Sequence, residues 1–214
     1  KHFAAHTDAT IIALARDIKL LKNLQNFCAK TYQKSIHVYK VDLSQPDFQI
    51  TLNAILKEHQ HIDIVINNAG IIGPDSPTTD MDWTAMAYTF AVNVAGALAV
   101  STACLDHLRR SSRPRILTVS SQMSYMGYAK SDRIAYRASK AAVNKVMQGL
   151  ATDLHPDGIA VVLVDPGWVQ TDMGGAEADL TPCEVAAGIV ALAETLKFEQ
   201  TGNFIRWNGE ERAF

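Results

Sequence analysis

Tyr136 and Lys140 stand four residues apart where a helical pattern running to Leu154 begins, so their side chains leave one helix face about a turn apart and can act on one ligand. A phenol titrates near pH ~10 when unperturbed, and a neighbouring ammonium favours the phenolate. A shift of a few units, ~1.4 kcal/mol each, brings such a tyrosine into range for acid/base work near neutrality. Taken alone, the same spacing is common on solvated helix faces. Its weight comes from the polar and small residues that follow each apolar run: Ala15-Arg16-Asp17 after Ala9–Leu14, Asp42-Leu43 after Ile36–Val41, Asn67-Asn68-Ala69-Gly70 after Ile62–Ile66, Ser120-Ser121 after Arg115–Val119, and Asp165-Pro166-Gly167-Trp168-Val169-Gln170-Thr171 after Ala160–Val164. Small residues such as Ala69 and Gly70 let the backbone approach a ligand closely. The serine pair either donates to a ligand or caps the next turn, Asp42 either binds or caps, and Trp168 is either a ligand wall or core.

The elements that must position these residues follow from periodicity. The five β-branched runs, with a weaker sixth at Asn203–Ile205, lie roughly 25 to 50 residues apart, with helical patterns between most of them. Those patterns span Lys19 to Tyr32, Asp47 to Gln60, Trp83 to Arg110, Tyr136 to Leu154 and Pro182 to Leu196. The last has Thr181 at the N-cap and Pro182 at the first helical position. This βαβ rhythm predicts an α/β fold, a doubly wound parallel sheet covered on both faces. Ligands in such sheets bind outside the carboxyl ends of the strands, where the small and polar residues cluster here.

In that order along nearly the whole chain, Asn67-Asn68-Ala69-Gly70, Asn93, Ser121, Tyr136-x-x-x-Lys140 and Pro166-Gly167-x-Val169-x-Thr171 resemble the short-chain dehydrogenase/reductase family. Within it, Tyr136 to Lys140, Pro166 to Gly175, Gly202-Asn203-Phe204 and Trp207-Asn208-Gly209 resemble the subgroup of C-factor and sniffer-type carbonyl reductases. The resemblance implies a Rossmann-like fold and hydride transfer between a nicotinamide and a carbonyl or secondary alcohol. Tyr136 would exchange a proton with the substrate oxygen, and Lys140 would hold the nicotinamide ribose and depress the tyrosine pKa. Ser121 would donate a hydrogen bond to the same oxygen, and Asn93 would position a water linking Lys140 to solvent. The family's serine lies about thirteen residues before its tyrosine, whereas Ser121 lies fifteen before Tyr136 and Ser120 sixteen, so Ser120 and Ser124 stay open beside it.

For the cofactor, the resemblance implies close approach at Asn68, Ala69 and Gly70, an adenine contact from Asp42 with Leu43 alongside, and backbone groups with a nonpolar wall from Pro166, Gly167 and Val169, Thr171 nearby. An acid at the end of the second strand selects NAD, and an arginine accommodates the 2'-phosphate of NADP. Here Ala15 takes the place of the acid and Arg16 follows, which points to NADP; a register one residue further on would bring in Asp17 and NAD. The first glycine is Gly70, so the family's opening glycine-rich turn is missing, and Lys1 to His6 reads as the tail of the helix behind it. The expectation is therefore a sheet without its first strand and glycine-rich turn, about twenty to thirty residues, which leaves the two flanking strands exposed beside a cleft near Leu14 and Ile66.

Composition bounds the rest. A chain of 214 residues with 48% hydrophobic and 20% charged residues has the material for a folded core, and one dinucleotide-binding and catalytic domain over 1–214 is expected. A net charge of -2 without a basic run excludes a nucleic-acid surface, and no apolar stretch is expected to reach membrane-span length. Three separated cysteines fit neither disulfides nor a Cys-x-x-Cys site and suggest the cytoplasm, and the seven histidines show no metal spacing. The expected partner is a small carbonyl or alcohol, in a mainly apolar pocket of Met123, Tyr125, Met126, Tyr128, Trp168 and Met173. The resemblance adds a homodimer or homotetramer formed through the helices from Trp83 and from Tyr136. The rival reading is a nucleotide-sensing or signalling protein on the same fold with little or no turnover. The complete Asn-Ser-Tyr-Lys set favours the enzyme, because a binding module has no chemical need for Tyr136.

Overall fold

The computed structural model describes residues 1–214. In chain order its elements are α1 (His2–His6), β1 (Ile12–Ala15), α2 (Ile18–Tyr32), β2 (His37–Lys40), α3 (Phe48–Leu56), β3 (Ile64–Asn67), α4 (Trp83–Phe90), a π-helical segment (Ala91–Gly96), α5 (Ala97–Ala103), α6 (Leu105–Leu108), β4 (Arg115–Val119), α7 (Ile134–Asp153), β5 (Ala160–Asp165), α8 (Pro182–Thr195) and β6 (Phe204–Arg206). The predicted alternation is present, with shorter elements. The helix pattern from Asp47 to Gln60 forms only Phe48–Leu56, and that from Trp83 to Arg110 is interrupted by the π-helical segment and at Cys104.

Local chemistry sets the boundaries. Asp17 caps α2 by accepting from the backbone N–H of Lys19 at 2.7 Å and of Leu20 at 3.3 Å, and Gln33 ends the helix in the left-handed region. Thr181 and Glu184 form a reciprocal capping box at α8, with Pro182 in its first turn.

Every strand pairing is parallel, and the order β3-β4-β5-β6 makes one sheet. All six residues of β5 are buried, which explains its unbroken apolar run: a parallel strand covered on both faces has no polar side. Val161 and Leu163 pack with Leu52 of α3, Ala97 of α5 and Val143, Met147 and Leu150 of α7. Val162 and Val164 point the other way, onto Leu192 and Ala193 of α8 and Ile205 of β6. Each fully buried Val or Leu contributes roughly 1.5–3 kcal/mol. The doubly wound arrangement thus holds α7 against the middle of the sheet.

β1 and β2 form a separate two-stranded sheet. The amides of His37 and Val41 donate to Ile11 and Ala15, and that of Arg115 donates to Asp63. With the observed registers, residues 11, 13 and 15 therefore bond β2, and 63, 65 and 67 bond β4. The main-chain groups of Ile12, Leu14, Ile64 and Ile66 face each other across a cleft of about 1030 Å³. This is the gap expected beside Leu14 and Ile66, with both edges unpaired. Phe3, Leu52, Ile55 and Val100 are among the side chains lining it.

One expectation is corrected. Helix Trp83–Ala103, counted through its π-helical segment, is 21 residues long and apolar enough to meet the length and composition of a membrane span. In the fold it packs across α7 and β3 and carries buried Thr89, Asn93 and Ser101, so its apolar content covers the sheet.

Amide hydrogen exchange followed by NMR should find Ile12, Leu14, Ile64 and Ile66 among the fastest strand amides, because water reaches their unpaired N–H groups. Ile116, Val162 and Leu163 should be among the slowest.

Candidate active site

Helix α7 carries the central pair. Its first turn is held by Arg137, which donates to both carboxylate oxygens of Asp132 at 2.9 and 3.0 Å. Tyr136 and Lys140, 7% and 4% exposed, point at the carboxyl end of β4. The Lys140 Nζ donates to the backbone oxygen of Val119 at 2.8 Å and lies 5.6 Å from the centre of the Tyr136 ring. Burial lowers the Lys140 pKa to about 8. The Tyr136 phenol is pushed up, first by burial and further by the charge of Asp165, while a hydrogen bond with Ser121 opposes the rise. The expectation that Lys140 depresses the phenol is therefore corrected for the ligand-free chain. Desolvation is the leading cause, and the Lys140 nitrogen is turned to a carbonyl.

The three candidate serines separate by their partners. Ser120 donates to Asn144 Oδ1 at 2.5 Å, Asn144 donates through Nδ2 to Ser124 at 2.9 Å, and the Ser124 hydroxyl donates to the backbone oxygen of Ser121 at 2.7 Å. Ser120 and Ser124 are thus buried ties between α7 and the loop after β4. Ser121 accepts from the Met123 N–H at 3.1 Å and donates to neither Asn144 nor the backbone, and its hydroxyl neighbours the Tyr136 phenol.

Asn93 lies in the π-helical segment and is 2% exposed. Its Oδ1 accepts from the Ile71 N–H at 2.8 Å, and its Nδ2 donates to the Ile71 carbonyl at 2.9 Å and to Ser139 Oγ at 3.0 Å. Ser139 in turn donates to the backbone oxygen of Tyr136 at 2.8 Å. Both Nδ2 protons are committed, so the side chain braces the loop after β3 against α7. Gly70 sits between: a Cβ there would come 3.4 Å from Asn93 Oδ1 and 3.6 Å from Lys140 Nζ, so its missing side chain leaves room beside the lysine. Asn68 and Ala69, both exposed, continue this rim into the cleft.

Arg16, Asp42 and Leu43 meet at the far end of the cleft. Asp42 accepts from the Ser44 N–H at 3.0 Å and hydroxyl at 2.7 Å, and these bonds, with Arg16 and Lys40 nearby, hold its carboxyl below the usual range. Leu43 packs on Gly96, where a Cβ would lie 3.1 Å from its Cδ1. Asp17 is committed to the cap of α2, and Arg16 is the exposed side chain at the strand end.

The loop after β5 forms the opposite wall. Pro166 leads into Gly167, which has φ +73°, and a Cβ there would strike Leu180 at 2.6 Å, so the turn requires glycine. Val169 bridges Leu180, and Thr171 accepts from the Gly174 N–H at 3.2 Å, shaping the turn that follows. Trp168 is not core: it is half exposed and donates through Nε1 to Gly174 O at 2.7 Å. Met126, Tyr128, Trp168 and Met173 stand exposed around this mouth, whereas Met123 is part-buried. No group of three His, Cys, Asp or Glu side chains is placed to hold a metal.

Sequence reasoning missed Asp165, Asn144 and Ser139 as the residues that orient the others. Asp165 closes an apolar run and could have drawn notice there, but Asn144 and Ser139 read as ordinary helix positions. Unfolding free energies should carry the signature of the buried lysine. Between pH about 8 and the ordinary lysine value near ~10, the unfolded chain binds more protons than the folded one at Lys140, so its contribution makes stability rise with pH across that window. The difference between wild type and Lys140→Met in urea unfolding from pH 7 to 10 should show that rise.

Residues 2–180 match the short chain dehydrogenase family. The chain is 40% identical to "C-signal" of Myxococcus xanthus over 152 residues, covering 70% of this chain and 91% of the relative. It superposes on carbonyl reductase Sniffer of D. melanogaster with TM-score 0.87 at 27% identity, covering 98% of this chain and 90% of that one. NADPH-bound carbonyl reductase from chicken fatty liver aligns with TM-score 0.85 at 25% identity, covering 99% and 91%. With the parallel sheet and the tyrosine–lysine pair at its carboxyl edge, these likenesses establish that the chain belongs to the short-chain dehydrogenase family of NAD(P)-dependent oxidoreductases.

Proposed function

We propose that residues 1–214 act as one dinucleotide-binding and catalytic domain of a cytoplasmic NADP-dependent reductase, working on a small apolar carbonyl or its secondary alcohol. The observation that carries this reading is the buried Tyr136–Lys140 pair, one helical turn apart with the Lys140 Nζ 5.6 Å from the phenol ring, and Ser121 on the adjoining loop. The space beside Gly70, bounded by Asn93 and Lys140, fits a nicotinamide ribose, and the Arg16–Asp42–Leu43 corner fits the adenosine end. Gly70 is the one glycine lining the cleft, so residues 1–214 bring no glycine-rich turn to the phosphates between. A bound nicotinamide supplies or accepts the hydride.

The chain's own part is the proton. A phenol held above its ordinary pKa stays protonated at neutral pH and is suited to donate to a carbonyl oxygen that gains electrons. Ser121, beside that phenol, donates a second hydrogen bond to that oxygen. Lys140 is charged below about pH 8, so a ribose hydroxyl and the developing phenolate both meet a cation where water is scarce. Pro166, Gly167, Val169 and Thr171 shape the wall against the carboxamide. Asn93, its side chain occupied, serves here by holding the Ile71 loop rather than by presenting that side chain to water.

Arg16 supports NADP over NAD, because Asp17 is engaged as a helix cap. The exposed Met126, Tyr128 and Trp168 support an apolar substrate. Trp83, 74% exposed on α4, with Tyr88 one turn and a half on, supports pairing with a second copy of the chain. A signalling role is favoured by one observation, the 40% identity to a protein named C-signal.

Loss of NADPH absorbance with a panel of ketones and aldehydes tests the enzyme. Tyr136→Phe should lower turnover roughly a hundredfold or more, since the general acid is removed and the ring kept. Retention of most of the turnover would sink the assignment, and an inactive wild type that still binds NADPH would favour the signalling reading. Arg16→Ala should weaken NADPH binding by about 1.5–3 kcal/mol, roughly ten- to a hundredfold, with NADH nearly unchanged in fluorescence titrations.

A further inference from the structure

Asp165, the last residue of β5, is 2% exposed and holds three segments at once. Its Oδ1 accepts from the Gln122 N–H at 3.0 Å, in the residue after Ser121, and from the Gly167 N–H at 3.1 Å, in the loop that forms the opposite wall. Its Oδ2 meets the Arg212 guanidinium at 3.0 Å, both side chains being largely buried. Its backbone oxygen accepts from Trp207 N–H at 2.9 Å, and Arg212 is itself anchored by its N–H on the Phe204 carbonyl at 2.8 Å. The C-terminal tail, the Ser121 segment and the Pro166–Val169 segment therefore converge on one carboxylate.

Such a pair adds little net stability, because desolvation of two charges offsets their attraction. Its effect is geometric. A carboxylate accepts two N–H bonds with one oxygen while the other is fixed by a bidentate-capable cation, so neither loop can shift without breaking a charge-assisted bond.

We propose that Asp165, locked by Arg212, is a positioning residue that sets the distance between Ser121 and the Pro166–Val169 wall beside Tyr136. It touches neither a substrate nor the phenol oxygen, and it acts through Gln122 and Gly167. The charged and polar groups facing Tyr136 are Ser121 from the loop after β4, Asp165 from β5 and Lys140 from α7 itself, and the cation facing Asp165 is Arg212. With Arg212 in place the carboxylate is only partly balanced, and its charge still raises the phenol. Without Arg212 more of its field falls on the phenol.

The kinetic arm of the test rests on the reading of Tyr136 as proton donor, and the other arms do not. NMR of ¹³C-ring-labelled tyrosine, with Tyr136→Phe identifying the signal, follows the phenol directly in the ligand-free chain. Arg212→Gln should raise the Tyr136 titration midpoint, Asp165→Asn should lower it, and Arg212→Lys should bring it back toward wild type. Movement in one common direction, or none, overturns the proposal, since a merely structural pair would not give opposite signs. In Asp165→Ala the amides of Gln122 and Gly167 should exchange faster together, and unchanged protection at either one overturns the link between the two segments. With NADPH and the carbonyl panel, Arg212→Gln should lower kcat roughly ten- to a hundredfold with a much smaller change in KM, as expected for misplaced groups rather than lost binding. A wild type inactive on the panel would fail the reading of function and leave the titration and exchange arms to decide the latch. Should Arg212→Gln not fold around its lone carboxylate, the opposed outcomes expected of Asp165→Asn and Arg212→Lys, a lowered and a restored midpoint, decide it.

Discussion

A lysine taken out of water governs the arrangement of this molecule. Lys140 is seated where α7 crosses the carboxyl edge of the central sheet, and its ammonium is satisfied by a single protein carbonyl, that of Val119. A buried cation with one such bond is costly, and the cost appears as a pKa drawn down to about 8. The position is tolerable because α7 is anchored elsewhere, by Val143, Met147 and Leu150 against β4 and β5. The apolar lower part of the helix thus holds its polar upper part, Tyr136 and Lys140, over the strand ends.

The polar groups around that pair are linked in two lines of hydrogen bonds. One runs from the Ile71 loop through Asn93 and Ser139 to the backbone of Tyr136, and the other from Ser120 through Asn144 and Ser124 to the backbone of Ser121. Each buried donor that finds its acceptor avoids a penalty of about 1–3 kcal/mol, so the lines also specify which loop conformations are allowed. Asp165 closes the arrangement from β5 and joins it to the tail. The reacting face is consequently rigid, whereas the mouth beyond it, with Met126 at 81% exposure, is open.

Much of this was legible in the residues. The runs ending near Ala15, Lys40, Asn67, Val119 and Asp165 became strands, and the central two, β4 and β5, are buried nearly throughout, as a parallel sheet covered on both faces requires. The gap between β1 and β3 also followed, since Gly70 is the first glycine and no run before Ala9 supplies a strand to lie between them. Interruptions were illegible: Trp83 to Arg110 has one unbroken apolar pattern, and the π-helical turn that aims Asn93 at Ile71 and Ser139 leaves no mark in it.

The sequence by itself determined which chemistry is possible, because a phenol and an amine one helical turn apart face the same way wherever the helix lies. It also determined the sheet, because hydrophobic period and length do not depend on distant partners. Tertiary structure alone told Ser120, Ser121 and Ser124 apart by their partners: three hydroxyls within five residues are chemically alike, and only the approach of Asn144 occupies two of them. It alone turned Asp17 into a cap and left Arg16 exposed, and it alone brought Arg212 to Asp165 from 47 residues away. The difference is physical. Backbone propensity acts over a few residues, whereas the state of a buried charge or hydroxyl is set by whichever groups folding brings within about 3 Å of it.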